Sequence, residues 1–281
     1  MNIFSEKEMY TITPPNDPNG RNLSLEHGLN RIENDFCVVR RDFIQAKRPL
    51  GAQQRAIALA FLAASYFRTP SQREETRAQW KPMLDMGLEM EELARTATPD
   101  QLAEMARYSR SLPKRGRGIS LDEVQAIVDK PFQTTLAAQI HTTVPLLFKL
   151  THMTIFCTNK VPGFITSDDP VVWIDPEAHK RPPLYRAPAF MYKTIEITMP
   201  ISPTRLMFLS RQKSGLPEYC NIDTFDLEDT LLNDLNRRTC LFAREKVVVS
   251  RNEFRPIWAH QGEPPLDEWP SFGQGSEETI D

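Results

Sequence analysis

A chain of 281 residues, 40% hydrophobic and 25% charged, has ordinary globular composition and enough apolar content to bury a sizeable core. Its formal net charge of −3, from 34 Lys and Arg against 37 Asp and Glu, excludes a whole-molecule field that gathers nucleic acid or anionic membrane and leaves a local basic patch as the route to such a partner. The cysteines, Cys37, Cys157, Cys220 and Cys240, lie far apart without a C-x-x-C pair, which argues against a structural zinc or thioredoxin-like centre and for reduced thiols.

The opening Met1-Asn-Ile-Phe-Ser-Glu-Lys-Glu8 has no basic stretch running into an apolar one, the pattern of an exported chain. The longest strongly apolar run, Ala56 to Phe67, falls short of the roughly 20 residues that cross a bilayer. A cytoplasmic protein with no membrane partner is expected.

Residues 1–20 contain Pro14-Pro15-Asn-Asp-Pro-Asn-Gly20, which sustains neither helix nor central strand and predicts an irregular lead-in. Leu25, Leu29, Ile32 and Phe36 then recur at helical spacing behind Ser24, an N-cap type, and predict the first amphipathic helix, which carries Glu26 and Glu33. The apolar run from Ala56 predicts a buried second helix that ends near Arg68, because the residue before Pro70 disfavours the α region. Thr69-Pro-Ser-Gln72, Thr98-Pro-Asp-Gln101 and Ser120-Leu-Asp-Glu123 read as three further helix starts. The last leads into an apolar stripe from Val124 to Leu147 that Pro131 and Pro145 break or kink.

From about residue 152 the period becomes alternating, in Met153–Thr158 and Lys193–Met199, and predicts strands. Val171–Ile174, Arg205–Leu209 and Lys246–Ser250 add three short β-prone runs, with Leu227, Leu231, Leu235 and Phe242 marking a helix before the last of them. The expected fold is α+β: a helical half (21–150) packed on a mostly antiparallel C-terminal sheet (151–262) in one unit. The Pro-rich, acidic segment 263–281 reads as a flexible tail.

Chemistry concentrates in Phe164-Ile-Thr-Ser-Asp-Asp-Pro170, between two predicted strands. Pro170 holds Asp169 extended, which leaves Asp168 as the expected free carboxylate, able to orient a base, bind a metal or take a proton. The plainer reading is that Ser, Asp and Pro are turn formers whose side chains cap their own backbone. A Ser-His-Asp hydrolase needs a base near Ser167, and none of His27, His141, His152, His179 or His260 has a spacing that ties it there. No G-x-S-x-G elbow is present. In a metal-dependent nuclease an acid-x-lysine pair belongs on the following strand, and Glu196-Ile-Thr198 has threonine in its place, so Glu196 is expected to face solvent. A divalent cation on Asp168 and Glu33 is geometrically allowed and not indicated by spacing, so the cofactor stays open. Arg107, Arg110, Lys114, Arg115 and Arg117 form the densest basic cluster. Arg115 and Arg117 are its candidate substrate-binding residues, for phosphate or an RNA backbone, although basic residues at a helix end need no ligand.

Taken together, Leu25-Glu26 and Glu33, then Phe61 and Arg68-Thr69-Pro70, Phe164-Ile-Thr-Ser-Asp-Asp-Pro-Val-Val172, Pro200-Ile-Ser-Pro203, and Asn236 with Ala243, resemble the bacterial family catalogued as domain of unknown function number 4238, over about residues 20–251. Its members open with an upstream His-x-x-Pro-x-x-Tyr-Leu segment that this sequence lacks. The resemblance therefore implies either an inactive or shortened chain, or a partner protein that supplies or replaces the segment. It also implies that Glu33, Arg68, Ser167, Asp168 and Asn236 are the candidate site residues.

Two functions are consistent with these residues. One is a hydrolase acting on RNA or another phosphate-containing substrate, in the manner of a toxin or phage-defence effector, with Arg68 holding an anion and Asp168 as base or metal ligand. The other is a non-catalytic binding or partner protein in which Arg68 pairs with Glu33 or Asp168 and Asn236 satisfies backbone groups.

Overall fold

The computed structural model describes residues 9–12, 21–111, 118–186, 188–190, 192–211, 222–226 and 228–259. Its first half is helical: α1 (Ser24–Val39), which runs on as π-helical turns over Arg40–Gln45, then α2 (Ala52–Phe67), α3 (Pro70–Thr96), α4 (Pro99–Ser111), α5 (Leu121–Asp129) and α6 (Pro131–Leu150). The second half carries β1 (His152–Cys157), β2 (Thr166–Ser167), β3 (Val172–Ile174), β4 (Glu196–Ser202), β5 (Arg205–Ser210), β6 (Ile222–Asp226), α7 (Asp229–Phe242) and β7 (Val247–Val248). The fold is α+β, with the helices gathered in the N-terminal half as composition and period predict.

Capping chemistry sets several of the boundaries. Thr69 accepts from the Gln72 N–H at the head of α3, Thr98 and Gln101 exchange bonds at the head of α4, and Ser120 with Glu123 closes a reciprocal box on α5. The first helix departs from expectation: Ser24 is its first helical residue rather than its cap, and the Asn22 side chain accepts from the Ser24 N–H at 2.9 Å. Asn and Ser are equivalent acceptors here, and the chain uses the one two residues further out. The stripe after Ser120 is divided at Lys130, and Pro131 starts α6 at its first turn, where its missing N–H costs nothing.

The main sheet has strand order β3-β4-β5-β1-β6. The first four strands are antiparallel, with Met199 opposite Met207 and Ile155 opposite Met207 across the two β5 ladders, and β6 runs parallel to β1 at the edge. Alternation along β5 assigns its two faces. Met207 and Leu209 join Phe36, Leu59, Leu62 and Ile197 in a core beneath α1 and α2. Leu206 and Phe208 join Phe164, Leu232 and Leu235 beneath α7. The sheet is thus a middle layer covered on both faces.

That second cover corrects the reading of Glu196. It is buried beneath α7, with its carboxylate accepting from the Arg238 guanidinium at 2.8 Å. An alternating strand predicts which residues share a face, but whether that face is wet depends on a helix that arrives later in the chain. Among the described residues Cys37, Cys157 and Cys240 are free thiols, and no helix is long and apolar enough to cross a membrane.

Candidate functional site

The segment after β1 is fixed first by its backbone. Gly163 has φ +79°, and a Cβ there would lie 2.0 Å from the Pro203 carbonyl oxygen, so glycine alone fits. Phe164 then donates its N–H to that same carbonyl at 2.8 Å and buries its ring under α7. Asn236, 1% exposed on α7, clamps this stretch: its amide donates to the Gly163 carbonyl at 2.9 Å and accepts from the Ile165 N–H at 3.1 Å. Thr166 and Ser167 follow as β2, paired antiparallel with Val248 and Val247 of β7.

Asp168 ends that ribbon and is not the free carboxylate. Its two oxygens accept from the backbone N–H groups of Arg244 and Glu245 at 3.0 and 2.9 Å, while its own N–H donates to the Lys246 carbonyl at 3.1 Å. It therefore caps the turn between α7 and β7, in the manner typical of Asp beside unpaired N–H groups. Asp169 is engaged as well, accepting from the Ser71 hydroxyl in the first turn of α3, where a carboxylate also meets the positive end of the helix. The Ser167 hydroxyl donates to the Asp169 carbonyl at 2.8 Å. The Ser167 hydroxyl thus braces the segment internally, while the pair of acids ties it to distant parts of the chain and bridges the helical half to the C-terminal ribbon.

These ties shape a cleft of about 680 Å³, a volume suited to a small organic ligand. One wall is the α2–α3 junction, with Ser65, Arg68, Thr69 and Arg73; the other is the β2–β7 ribbon and its turn, with Ser167, Asp168, Arg244, Glu245 and Lys246; Met9 and Tyr10 form an apolar end. Arg68 occupies the C-cap of α2 and pairs with Glu33 of α1, both side chains remaining partly exposed. Arg73 pairs with Glu74 at 3.3 Å and lies over the Phe132 ring, itself 5.9 Å from the Tyr10 ring. Beside this wall, burial against Trp173 pushes the Tyr66 phenol up to about 12, with the carboxylates of Glu75 and Asp169 adding to the rise, so it stays neutral.

Four cationic side chains, Arg68, Arg73, Arg244 and Lys246, therefore share a concave surface with the carboxylates of Asp168 and Glu245. The start of α3, at Thr69 and Pro70, adds the positive end of a helix dipole to the same wall. Of the residues singled out from the sequence, Arg68, Ser167 and Asp168 meet in the cleft, Glu33 reaches it through its ion pair with Arg68, and Asn236 lies in the closed core behind it. Arg115 and Arg117 fall outside the described residues. Arg73, Arg244 and Lys246 escaped the sequence reading: nothing in their local pattern separates them from solvated surface charges, and only the β2–β7 pairing carries residues 244–246 to Asp168. No histidine lines the cleft among the described residues, and no group of three or more His, Cys, Asp or Glu there is placed to hold a metal.

No curated protein and no solved structure matches the chain. A family model does match, described as "Protein of unknown function (DUF4238)" and covering residues 1–253. With the segment from Phe164 to Pro170 at the junction of its two halves, the chain belongs to this family.

Proposed function

We propose that the protein binds a phosphate-bearing ligand of about nucleotide size in the cleft between the α2–α3 junction and the β2–β7 ribbon. The observation that carries this reading is the convergence of Arg68 and Arg73 from one wall, and of Arg244 and Lys246 from the other, on one cleft in a chain whose overall charge is negative. An anion gains from charge-assisted hydrogen bonds to these side chains. Tyr10 and Met9 at the apolar end offer a surface on which a base or another flat group can lie.

Hydrolysis of that ligand is a second step in the same proposal. Asp168 has both carboxylate oxygens committed to backbone N–H groups, so the lining carboxylate assigned to take a proton from water is Glu245, whose exposed side chain borders the same cleft. Binding without turnover is the competing reading, and the structural commitments of Asp168 and Asn236 favour it.

Calorimetric titration of the full chain with pyrophosphate, ADP and a short oligoribonucleotide tests the binding. At least one should bind, with affinity falling as salt rises, and Arg244→Ala should weaken it about tenfold. Failure of all three to bind overturns the reading. Product formation that Glu245→Gln abolishes without loss of binding establishes the hydrolytic step; binding with no product assigns the cleft to recognition alone.

A further inference from the structure

Away from the cleft, the C-terminal half of α3 and the following helix α4 each carry exposed apolar side chains that nothing among the described residues covers. Met83, Met86, Met90 and Leu93 follow one another at intervals of three, four and three, which places them on one stripe of α3. On α4, Leu102 and Met105 stand three apart, and these six residues are each 42–61% exposed. The neighbouring face of α3 is used: Leu84 is buried, and Gly87 admits Leu121 of α5 so closely that a Cβ would lie 2.5 Å from its Cδ1. The methionine stripe lies beside this packed edge and is left over. α4 makes no substantial contact with any other described element.

The charge along the stripe is mostly negative, and the basic residues of this stretch of sequence gather after it, from Arg107 to Arg117. Residues 83–107 hold six carboxylates against two arginines, a formal net charge of −4. Asp85 pairs with Lys81 at 3.1 Å and Glu92 with Arg95 at 2.8 Å, while Glu89, Glu91 and Glu104 make no ion pair among the described residues. Contiguous exposed methionines form a soft surface that adapts to a partner's side chains, and large exposed apolar patches mark interaction sites. A second copy laid stripe against stripe would bring its own Asp85, Glu89, Glu91 and Glu92 against these. A cationic partner would neutralise them.

We propose that the α3–α4 arm is a docking surface for a basic amphipathic helix of another protein, whose apolar side chains lie along Met83, Met86, Met90 and Leu93 while its lysines or arginines meet Glu89 and Glu91. The site is independent of the cleft and does not rest on the reading given for it.

Fluorescence anisotropy with the full chain tests this, using a labelled peptide of Leu and Lys alone, arranged at helical period and about four turns long, and its Leu-Glu counterpart. The Leu-Lys peptide should bind and the Leu-Glu peptide should not. Met86→Ser with Met90→Ser, and separately Glu89→Lys with Glu91→Lys, should each weaken binding about tenfold or more at unchanged melting temperature. Equal binding of both peptides, no binding, or affinity indifferent to the methionine substitutions overturns the proposal. So does sedimentation as a dimer that Met86→Ser with Met90→Ser dissociates, because the face is then occupied by a second copy.

Discussion

Asp168 holds the backbone N–H of Arg244 at 3.0 Å, and with its second oxygen that of Glu245 at 2.9 Å, so a carboxylate of the central segment fixes the turn that projects Arg244 and Lys246 into the cleft. Asp168→Ala should therefore act through Arg244. Losing charge-assisted bonds at a partly exposed site costs about 1–2 kcal/mol of stability. In a double-mutant cycle on anion affinity, Asp168→Ala and Arg244→Ala should be strongly non-additive, the second change adding little once the turn is released. Additive losses would mean that Asp168 meets the ligand directly.

Asn236 is the other anchor of this segment, and its two bonds run in opposite directions. Its amide donates to the Gly163 carbonyl and its oxygen accepts from the Ile165 N–H, at 1% exposure. Asn236→Ala leaves both backbone groups buried and unpaired and should cost about 2–4 kcal/mol in urea denaturation. Asn236→Asp keeps the acceptor but brings a charge into the core with no donor for Gly163, so it should be no better tolerated. A loss of ligand binding with unchanged stability in either variant would contradict a purely structural role.

How much of this was legible in the sequence follows from the range of each signal. Thr69, Thr98 and Ser120 act within one helical turn, and their caps are readable because the partner is three residues away. The alternation of Met153–Thr158 is equally local. The roles of Asp168 and Glu196 are set by residues 76 and 42 positions distant. For Asp168 the local rule that Pro170 extends its neighbour addressed backbone shape and not the partners of either carboxylate. For Glu196 the period identified its face correctly, but not the arrival of α7 over it.

That buried pairing carries its own prediction. Arg238, 0% exposed, meets Glu196 at 2.8 Å and Asp234 at 2.9 Å. Removing one partner strands a buried charge, so Glu196→Ala or Arg238→Ala should cost about 3–5 kcal/mol, whereas replacing Glu196, Asp234 and Arg238 together by apolar residues of similar size should cost far less. Asp234 adds a pH signature. Burial raises its carboxyl above the ordinary value of 3.8, outweighing the opposing pull of Arg238. A carboxyl raised on folding contributes stability that is fully present below 3.8 and is lost as pH rises through the folded value. The stability of the parent chain relative to Asp234→Asn should therefore increase as pH falls from 7 toward 4 in paired urea titrations, and a flat or opposite trend would refute it.

Arg68 separates a structural from a ligand-binding role most cleanly. Its pair with Glu33 is half-exposed, 30% and 40% by side chain, unlike the closed Arg238 group, and solvent screening limits such a pair to about 0–1 kcal/mol. Arg68→Ala should then leave the melting temperature nearly unchanged, and Glu33→Gln likewise. Anion affinity should respond in opposite directions: it falls when the guanidinium is removed, and rises or holds when the competing carboxylate is neutralised, because Arg68 is freed to face the cleft. Thermal melts paired with pyrophosphate titration read both effects in the same samples. A large drop in melting temperature for Arg68→Ala would return this residue to the framework; a loss of affinity for Glu33→Gln would mean that the pair, not the arginine alone, sets the site.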